Sequence, residues 1–306
     1  MKKGLKTKVV VTGGAGFIGS NLTDALVRAG YDVHVIDNLS GGKKENVNPR
    51  AVLHIIDITN LKKIQPIFRG ARYVFHLAAL PRVQHSIEHP FLTHVVNVDG
   101  TLNVLIASSE AKVKRVIYSA SSAAYGDQVT MPLHEGMHAN PKSPYGLHKY
   151  VGEAYCKVWS EVYGLPTVSL RYFNVYGPRN NPEGAYALVI AKFMKQRKEG
   201  KPMTITGDGK QTRDFTHVKD VVQANILAMK SLKVGKGEVI NIGCGKNQSV
   251  NYIAKLVGGP VKHVKARLEP RHTLANNTLA KKLLGWKPTI SIEEGIKELK
   301  KISHIL

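Results

Sequence analysis

The chain predicts an α/β protein, with a doubly wound parallel sheet carrying a smaller, discontinuous C-terminal substrate-binding lobe. Three observations predict it. Short β-branched runs alternate with helically spaced segments through the first half, a glycine-rich turn follows the first run directly, and an acidic residue closes the second.

The strand candidates come in order as "KVVVTG" (8–13), "DVHVID" (32–37), "AVLHIID" (51–57), "YVFHLAA" (73–79) and "RVIYSAS" (115–121). Their nearly continuous hydrophobicity is the pattern of strands buried on both faces of a parallel sheet. Between the first two, "SNLTDALVRAG" places Leu22, Ala25, Leu26 and Ala29 on one helical face, with Gly30 as the stop. Beyond "TVSLRYFNVYGPRN" (167–180) the regularity weakens and Pro and Gly become frequent. The segments "VIAKFMKQRKEG", "DVVQANILAMKSL", "SVNYIAKLVG" and "LAKKLLGW" read as helices joined by loops. A last helix starts at Ser291, with Glu294 completing a capping box. The division expected is 1–175 for a dinucleotide domain with the catalytic residues, and 176–306 mainly for the second lobe, with some segments returning to the sheet.

A chain of 306 residues buries a substantial core. The N-terminus offers no apolar stretch of signal-peptide length before its glycines, and no run has the apolar length of a membrane span. Cys156 and Cys244 form neither a CxxC pair nor a disulfide framework, so a reducing cytoplasm is expected, with no membrane partner. The net charge of +22 is the one unusual figure. Lys/Arg clusters bind nucleic-acid phosphates, yet "KFMKQRKEGK" (192–201) reads as the solvated face of a helix and no zinc-finger or RNA-recognition signature accompanies the charge. An anionic small molecule is the expected partner, and nucleic acid is not.

"TGGAGFIG" sets Gly13, Gly16 and Gly19 between a strand and a helix. Glycines there permit a tight turn and close approach of backbone to a pyrophosphate, and the helix N-terminus offers free N–H groups. The spacing is G-x-x-G-x-x-G rather than G-x-G-x-x-G, so the generic fingerprint is met only approximately. Asp37, 18 residues past Gly19, supplies the second feature, a carboxylate for the adenosine ribose hydroxyls. It also repels a 2′-phosphate, which favours NAD over NADP. Asp57, ending the third strand candidate, is placed to reach the adenine.

In "SPYGLHKY" (143–150) Tyr145 and Lys149 stand at i and i+4, neighbours on a helix face. A Lys ammonium there would favour the tyrosinate and draw the Tyr pKa down from about 10, making Tyr145 a proton acceptor for a hydroxyl. With 12 Tyr in a Lys-rich chain, such a pair also arises by chance, and its surroundings decide.

Those surroundings are specific. "TGGAGFIG", "DNLS" (37–40), "HLAA" (76–79), "NVDGTLNVL" (97–105), "SPYGLHK", "RYFNVYGPRN", "GDGKQTRDFTHVKDV" (207–221), "NIGCG" (241–245) and "LLGWKP" (283–288) stand in order nearly end to end. The sequence resembles the extended short-chain dehydrogenase/reductase family, in particular its nucleotide-sugar 4-epimerases of the UDP-glucose and UDP-N-acetylglucosamine type. The resemblance implies a Rossmann-like fold, bound NAD, and inversion at C4 of a UDP-hexose through a transient 4-keto sugar, with no external oxidant. UDP-glucose/UDP-galactose is the implied pair, with the N-acetylated pair as an extension. It implies Ser121, Tyr145 and Lys149 as catalytic residues, Ser122 being the neighbour a one-residue shift would select. It implies a cofactor shell of Gly13, Gly16, Phe17, Ile18, Gly19, Asp37, Asn38, Ser40, Asp57, Ile58, Leu77, Ala78, Ala79, Asn97, Ser119, Tyr145, Lys149 and Tyr172. Asn97 would support the catalytic network from a neighbouring helix. For substrate it implies Arg82, Ser121, Ser122, Tyr145, Asn174, Val189, Thr204, Arg213, Arg271 and Thr273, with Asn174 and Arg213 gripping the diphosphate. A homodimer through segments near 92–109 and 145–163 is implied as well.

Departures from the family pattern narrow the reading. Dehydrating relatives carry Asp-Glu just after the hydroxyl residue and decarboxylating ones keep the Glu, whereas this chain has Ser122 and Ala123. Thr273 in "RHTLAN" (271–276) stands where a side chain gates the C2 substituent, and a small one leaves room for an N-acetyl group. The Arg-x-Gly-Asp stretch usual before this segment is missing, and Asn276 replaces an Asp. "HSIEH" (85–89) matches a zinc-peptidase pattern. Such His need a continuous helix and a third ligand, and Pro90 follows at once, so no metal is expected. A non-catalytic dinucleotide sensor is the rival class, but it would not need Ser121, Tyr145 and Lys149 together.

Overall fold

The computed structural model describes residues 6–182, 188–265 and 271–305. Seven strands build the central sheet and are labelled here in chain order: β1 Lys8–Thr12, β2 Asp32–Asp37, β3 Val52–Ile55, β4 Tyr73–His76, β5 Arg115–Ser121, β6 Thr167–Tyr172 and β7 Glu238–Ile242. Their spatial order is 7-6-5-4-1-2-3 and every pairing is parallel. The order reverses between β1 and β4, so the crevice beyond their carboxyl ends is the expected ligand position of a doubly wound sheet.

The strand readings hold with one correction. β1, β2, β4, β5 and β6 are largely buried, but β3 lies at the edge, paired only with β2, and its residues are exposed or half-exposed. Its hydrophobic run reflects one half-covered face, which periodicity alone cannot separate from full burial. The first helix runs Phe17–Arg28 and buries Leu22, Thr23, Leu26 and Val27, while Ala25 is half-buried and Ala29 exposed. The core face is thus rotated by about one position from the expected stripe, toward Thr23 and Val27. The last helix, Ile292–Ser303, starts on the expected capping box.

Two apolar layers flank the sheet. One gathers the Phe17–Arg28 and Val218–Lys230 helices and Trp286 against Val9, Val11, Val33 and Ile240. The other packs the Leu61–Phe68, Gly100–Glu110 and Pro144–Val162 helices against Val10, Val74 and Val116. A separate cluster of Ile190, Phe193, Met203, Ile205, Ile253 and Ile296 forms the core of the second lobe. β7, the 218–230 helix and the Thr278–Leu284 helix return to the main sheet. No helix among the described residues is long and apolar enough to cross a membrane.

The Pro144–Val162 helix is set against β5 and β6 by two features. A Cβ on Gly152 would lie 2.2 Å from Tyr118 Oη, so only glycine permits this close approach. One residue on, Glu153 accepts from Arg171 Nε at 2.8 Å and Nη2 at 2.6 Å, with both side chains almost fully buried. The guanidinium also lies 4.4 Å over the Tyr125 ring. Removing one partner of such a pair strands a charge in an apolar seam, at a cost of about 3–5 kcal/mol. Arg171→Met is therefore expected to lower unfolding stability by about that amount in urea titrations, and Glu153→Leu/Arg171→Met to recover most of it. A single variant within about 1 kcal/mol of the parent would contradict a buried, fully desolvated pair.

Candidate active site

The glycine turn joins β1 to the 17–28 helix at the sheet's reversal point. Gly13 has φ +72°, and a Cβ there would lie 2.6 Å from Ala78 N; one on Gly19 would lie 2.1 Å from Gly13 O. The turn is thus pressed onto the end of β4 and the helix onto the turn. The helix has Gly16 as N-cap and no side-chain cap. Its first-turn N–H groups accordingly face the crevice without an intrahelical acceptor, the condition for holding a phosphate. Phe17 and Ile18 are half-buried beside it.

Asp37 closes the far side. Its carboxylate accepts from Ala15 N at 2.9 Å and Leu39 N at 2.8 Å, leaving lone pairs on both oxygens. Asn38 donates to Asp57 at 2.7 Å while its own amide oxygen accepts from Ser40 N and Oγ. Thr59 N and Oγ1 also donate to Asp57, and these bonds outweigh burial to hold its carboxyl below the usual range. Ile58 is buried beside it, with Asn103 donating to its carbonyl. Glycine cradle, free helix end and a carboxylate with lone pairs to spare together fit a dinucleotide.

A buried chain that the sequence reading missed runs beneath this crevice. His76, ending β4, has Nδ1 2.7 Å from Thr12 Oγ1 and Nε2 2.9 Å from Thr101 Oγ1. Thr101 uses its single proton on Asn97 O at 2.7 Å, so it accepts from His76 Nε2, and Thr12 donates to Nδ1. Thr12 Oγ1 in turn accepts from Leu77 N and Ala78 N. Burial, aided by the Lys149 charge, pushes the His76 pKa down to about 3, so the ring is neutral. Asn97 lies in a π-helical turn, Val95–Asp99, a common mark of function. Its amide clasps Leu80 N at 2.8 Å and Leu80 O at 3.2 Å, so in this structure it fixes the segment after "HLAA".

Tyr145 and Lys149 lie on the first turns of the Pro144–Val162 helix. Ser143 is the N-cap, accepting from Gly146 N at 3.1 Å, with Pro144 at the first helical position. Tyr145 N donates to Ser86 Oγ at 3.0 Å, a contact from the Val83–Glu88 helix with no local sequence signal. The Tyr145 hydroxyl hydrogen-bonds with Ser121 at the end of β5. Ser121 Oγ also accepts from Ala123 N at 3.2 Å. Lys149 Nζ is buried, donates to Ser119 O at 2.7 Å and lies 5.0 Å from the Tyr118 ring centroid.

One electrostatic expectation is corrected. Burial raises the Tyr145 pKa, opposed only by the Ser121 hydrogen bond, and does not lower it. The Lys149 ammonium turns toward Ser119 O and Tyr118, and is itself destabilised: burial lowers its pKa from 10.5 to about 8 despite Glu153. Tyr172, ending β6, is buried and bonded to Asn225.

The remaining substrate candidates fall in two groups. Asn174, at φ +32°, donates to Asp214 O and Thr273 Oγ1, both at 3.2 Å, and Arg213 Nη1 donates to Thr212 O at 3.0 Å and Arg271 O at 3.3 Å. Asn174, Arg213, Arg271 and Thr273 are therefore joined through one patch of backbone. Its anchor is Asp214, another residue the sequence reading passed over, which accepts from Cys244 N, Gly245 N and Ala275 N at 2.7–3.0 Å. Arg271 Nη2 also pairs with Asp208 at 3.1 Å. Val189 opens the Val189–Lys198 helix and Thr204 bonds to Gln196 of that helix, so both belong to the second lobe. Arg82 is half-buried at the start of the 83–88 helix. The shortened stretch before Arg271 lies at 266–270, outside the described residues.

Residues 9–243 match the NAD dependent epimerase/dehydratase family. The chain belongs to that family. Its cofactor is NAD, and UDP-sugar 4-epimerases stand among its relatives and structural neighbours. The fold superposes on a UDP-glucose 4-epimerase from Thermotoga maritima solved with UDP-glucose, at a TM-score of 0.92, 40% identity, and coverage of 96% of this chain and 98% of that one. A UDP-N-acetylglucosamine 4-epimerase from Methanobrevibacter ruminantium, solved with UDP-N-acetylmuramic acid, gives 0.93 at 38% identity, covering 98% and 99%. A UDP-N-acetyl-α-D-glucosaminuronate decarboxylase from Bacillus cytotoxicus is 34% identical over 96% of this chain and 97% of its own. The family thus spans more than one reaction.

The Lys149 environment gives a pH signature. The unfolded chain holds the Lys149 proton up to about 10.5, the folded chain only to about 8, so between those values the unfolded state binds more protons and stability rises with pH. Measured against Lys149→Met, the parent is expected to gain stability from pH 8 to 10. A flat difference would place the ammonium in solvent.

Proposed function

We propose that the protein is an NAD-dependent UDP-sugar 4-epimerase, inverting C4 of a UDP-hexose through a transient 4-keto sugar. The observation that carries this is Tyr145, hydrogen-bonded to Ser121 at the end of β5 and backed by buried Lys149, beside the uncapped glycine turn. Tyr145 takes the proton of the C4 hydroxyl, and Ser121 holds the same oxygen and shortens the proton's path. NAD⁺, when bound, would supply the reversible hydride acceptor. Lys149, held by Ser119 O, would hold the nicotinamide ribose hydroxyls with its remaining protons and counter the tyrosinate as it forms. In the ligand-free chain the raised Tyr145 pKa keeps the base protonated, so its activation belongs to the loaded site.

Asn174 and Arg213 anchor the diphosphate while the sugar turns over. Both are positioned by the Asp214 anchor, which ties the strand Thr212–Asp214 to Gly245 and Ala275. The dehydratase and decarboxylase readings need a carboxylate after Ser121, and the turn Ser122–Ala124 carries none. Thr273, whose hydroxyl meets Asn174 and Asp214 N, is a small wall that leaves space at C2. N-acetylated substrates therefore fit this reading as well as plain hexoses.

A homodimer completes it. On the 144–162 helix, Leu147, Tyr150, Val158 and Val162 form an exposed apolar face opposite the buried Lys149, Gly152 and Cys156, and Phe91 is 80% exposed on the neighbouring helix. A helix apolar on both faces is one that buries both.

Proton NMR of the protein with NAD⁺ and either UDP-glucose or UDP-N-acetylglucosamine should show conversion to the C4 epimer. Tyr145→Phe should lower kcat by about 100-fold or more, and Thr273→Tyr should depress turnover of the N-acetyl sugar selectively. No conversion of either sugar would overturn the UDP-hexose assignment. Sedimentation velocity should give a dimer, converted to monomer by Val158→Glu/Val162→Glu. An unchanged sedimentation coefficient in that variant would place the interface elsewhere.

A further inference from the structure

The H-x-x-E-H stretch has a geometry that its sequence did not promise. Pro90 does not interrupt the turn: His89 N donates to His85 O at 2.8 Å, closing the Val83–Glu88 helix through His89, and Pro90 then begins the next helix at a position where proline is tolerated. His85 and Glu88 stand on that helix and His89 at its C-cap, spaced i, i+3 and i+4. Their ligand atoms all lie within 4.8 Å of one another, and the two imidazole centroids are 4.7 Å apart at an interplanar angle of 55°. Among the described residues this is the one group of three metal-ligating side chains so placed.

The donor set selects the ion. Two imidazoles and one carboxylate suit borderline divalent ions such as Zn²⁺ or Co²⁺, whereas Ca²⁺ and Mg²⁺ prefer all-oxygen shells. Bonds of about 2.0–2.2 Å place tetrahedral ligand atoms about 3.4 Å apart, so the three need close by little more than an ångström. His85 is half-buried and the other two are exposed, which leaves room for that rotation and for water at the open coordination position. Gln84 Nε2 donates to Glu88 Oε1 at 3.1 Å, an outer partner that orients the carboxylate.

The turn also reaches the candidate catalytic helix. Ser86, enclosed between His85 and Glu88, is buried, donates to Val83 O at 2.6 Å, and accepts from Tyr145 N at 3.0 Å. A metal bridging i, i+3 and i+4 would remove fraying from the turn that supplies this acceptor. We propose that His85, Glu88 and His89 bind one divalent transition-metal ion, and that its binding clamps the turn whose Ser86 holds the first residues of the Tyr145 helix. The site is distinct from the proposed epimerase chemistry and does not rest on it.

The test uses the full chain after EDTA dialysis. Zn²⁺ calorimetry and Co²⁺ visible absorption should each show one tight equivalent. His85→Ala/His89→Ala should weaken binding at least about 100-fold and Glu88→Gln at least about 10-fold, since loss of even an outer partner costs about 10–100-fold. The stacked His34–His54 pair, 3.0 Å apart, is the competing place for a metal, so His34→Gln/His54→Gln serves as the control and should leave the equivalent intact. Amide exchange of the peptide containing Tyr145 should slow on Zn²⁺ addition in the parent and not in the His85/His89 variant. Binding that survives the His85/His89 change, or disappears with the His34/His54 change, overturns the site. Tight binding with unchanged exchange at Tyr145 overturns the clamp.

Discussion

Lys149 Nζ lies in a dry seam between the 144–162 helix and β5, and burying an unpaired ammonium costs several kcal/mol unless its surroundings compensate. The compensation explains much of the neighbouring architecture. Ser119 O accepts at 2.7 Å, the Tyr118 ring offers its face, and the Glu153 carboxylate acts from one turn further along. Glu153 can be buried there only because Arg171 reaches it from β6 with two hydrogen bonds. Gly152 lets the helix come close enough for all three contacts. On the far side His76 is held neutral, so no second cation opposes the first. The 144–162 helix is thus fixed by charge compensation across β4, β5 and β6, and the position of Tyr145 follows from it.

The sheet and the cofactor turn were legible in the sequence because both depend on local pattern. Strands buried on two faces read as continuous apolar runs, and closely spaced glycines between a strand and a helix mark a turn that side chains would block. β3 misled because an edge strand covered on one face can carry the same short run. The first helix misled by one position because Thr23, a residue counted as polar, faces the core alongside Val27. What stayed hidden shares a different feature. Ser86 meets Tyr145 across 59 residues and Thr12 meets His76 across 64, contacts that the fold brings together and no window of sequence contains.

The sign of the Tyr145 shift is the sharpest instance. An i, i+4 spacing fixes where two Cβ atoms lie, not where a four-carbon side chain directs its charge. Lys149 turns to the Ser119 carbonyl, and burial then governs both groups, raising the phenol and lowering the ammonium. Both shifts favour the neutral forms. A phenol placed this way stays protonated until a ligand brings compensating charge, which couples acid–base readiness to occupancy. Such coupling suits the proposed reaction, whose oxidised and reduced halves must both finish before the sugar leaves.

The choice between epimerisation and the family's other outcomes turns on one short segment. Ser121 caps the turn Ser122–Ala124 through Ala123 N, and the Ala123 carbonyl packs where a Cβ on Gly146 would come within 2.6 Å. This turn is therefore wedged between β5 and the start of the catalytic helix, with its side chains directed by a backbone that cannot shift without moving Tyr145. A carboxylate introduced at 122 or 123 would be held at fixed distance from Ser121, which is why that position decides whether a keto sugar meets a second base. Here it carries a hydroxyl and a methyl group, and neither removes a C5 proton nor assists loss of carbon dioxide. On the proposed reading the Asn174 and Arg213 patch, tied to Asp214 and separate from this turn, grips the diphosphate while the sugar turns. Return of hydride to the opposite face then completes the turnover on that reading.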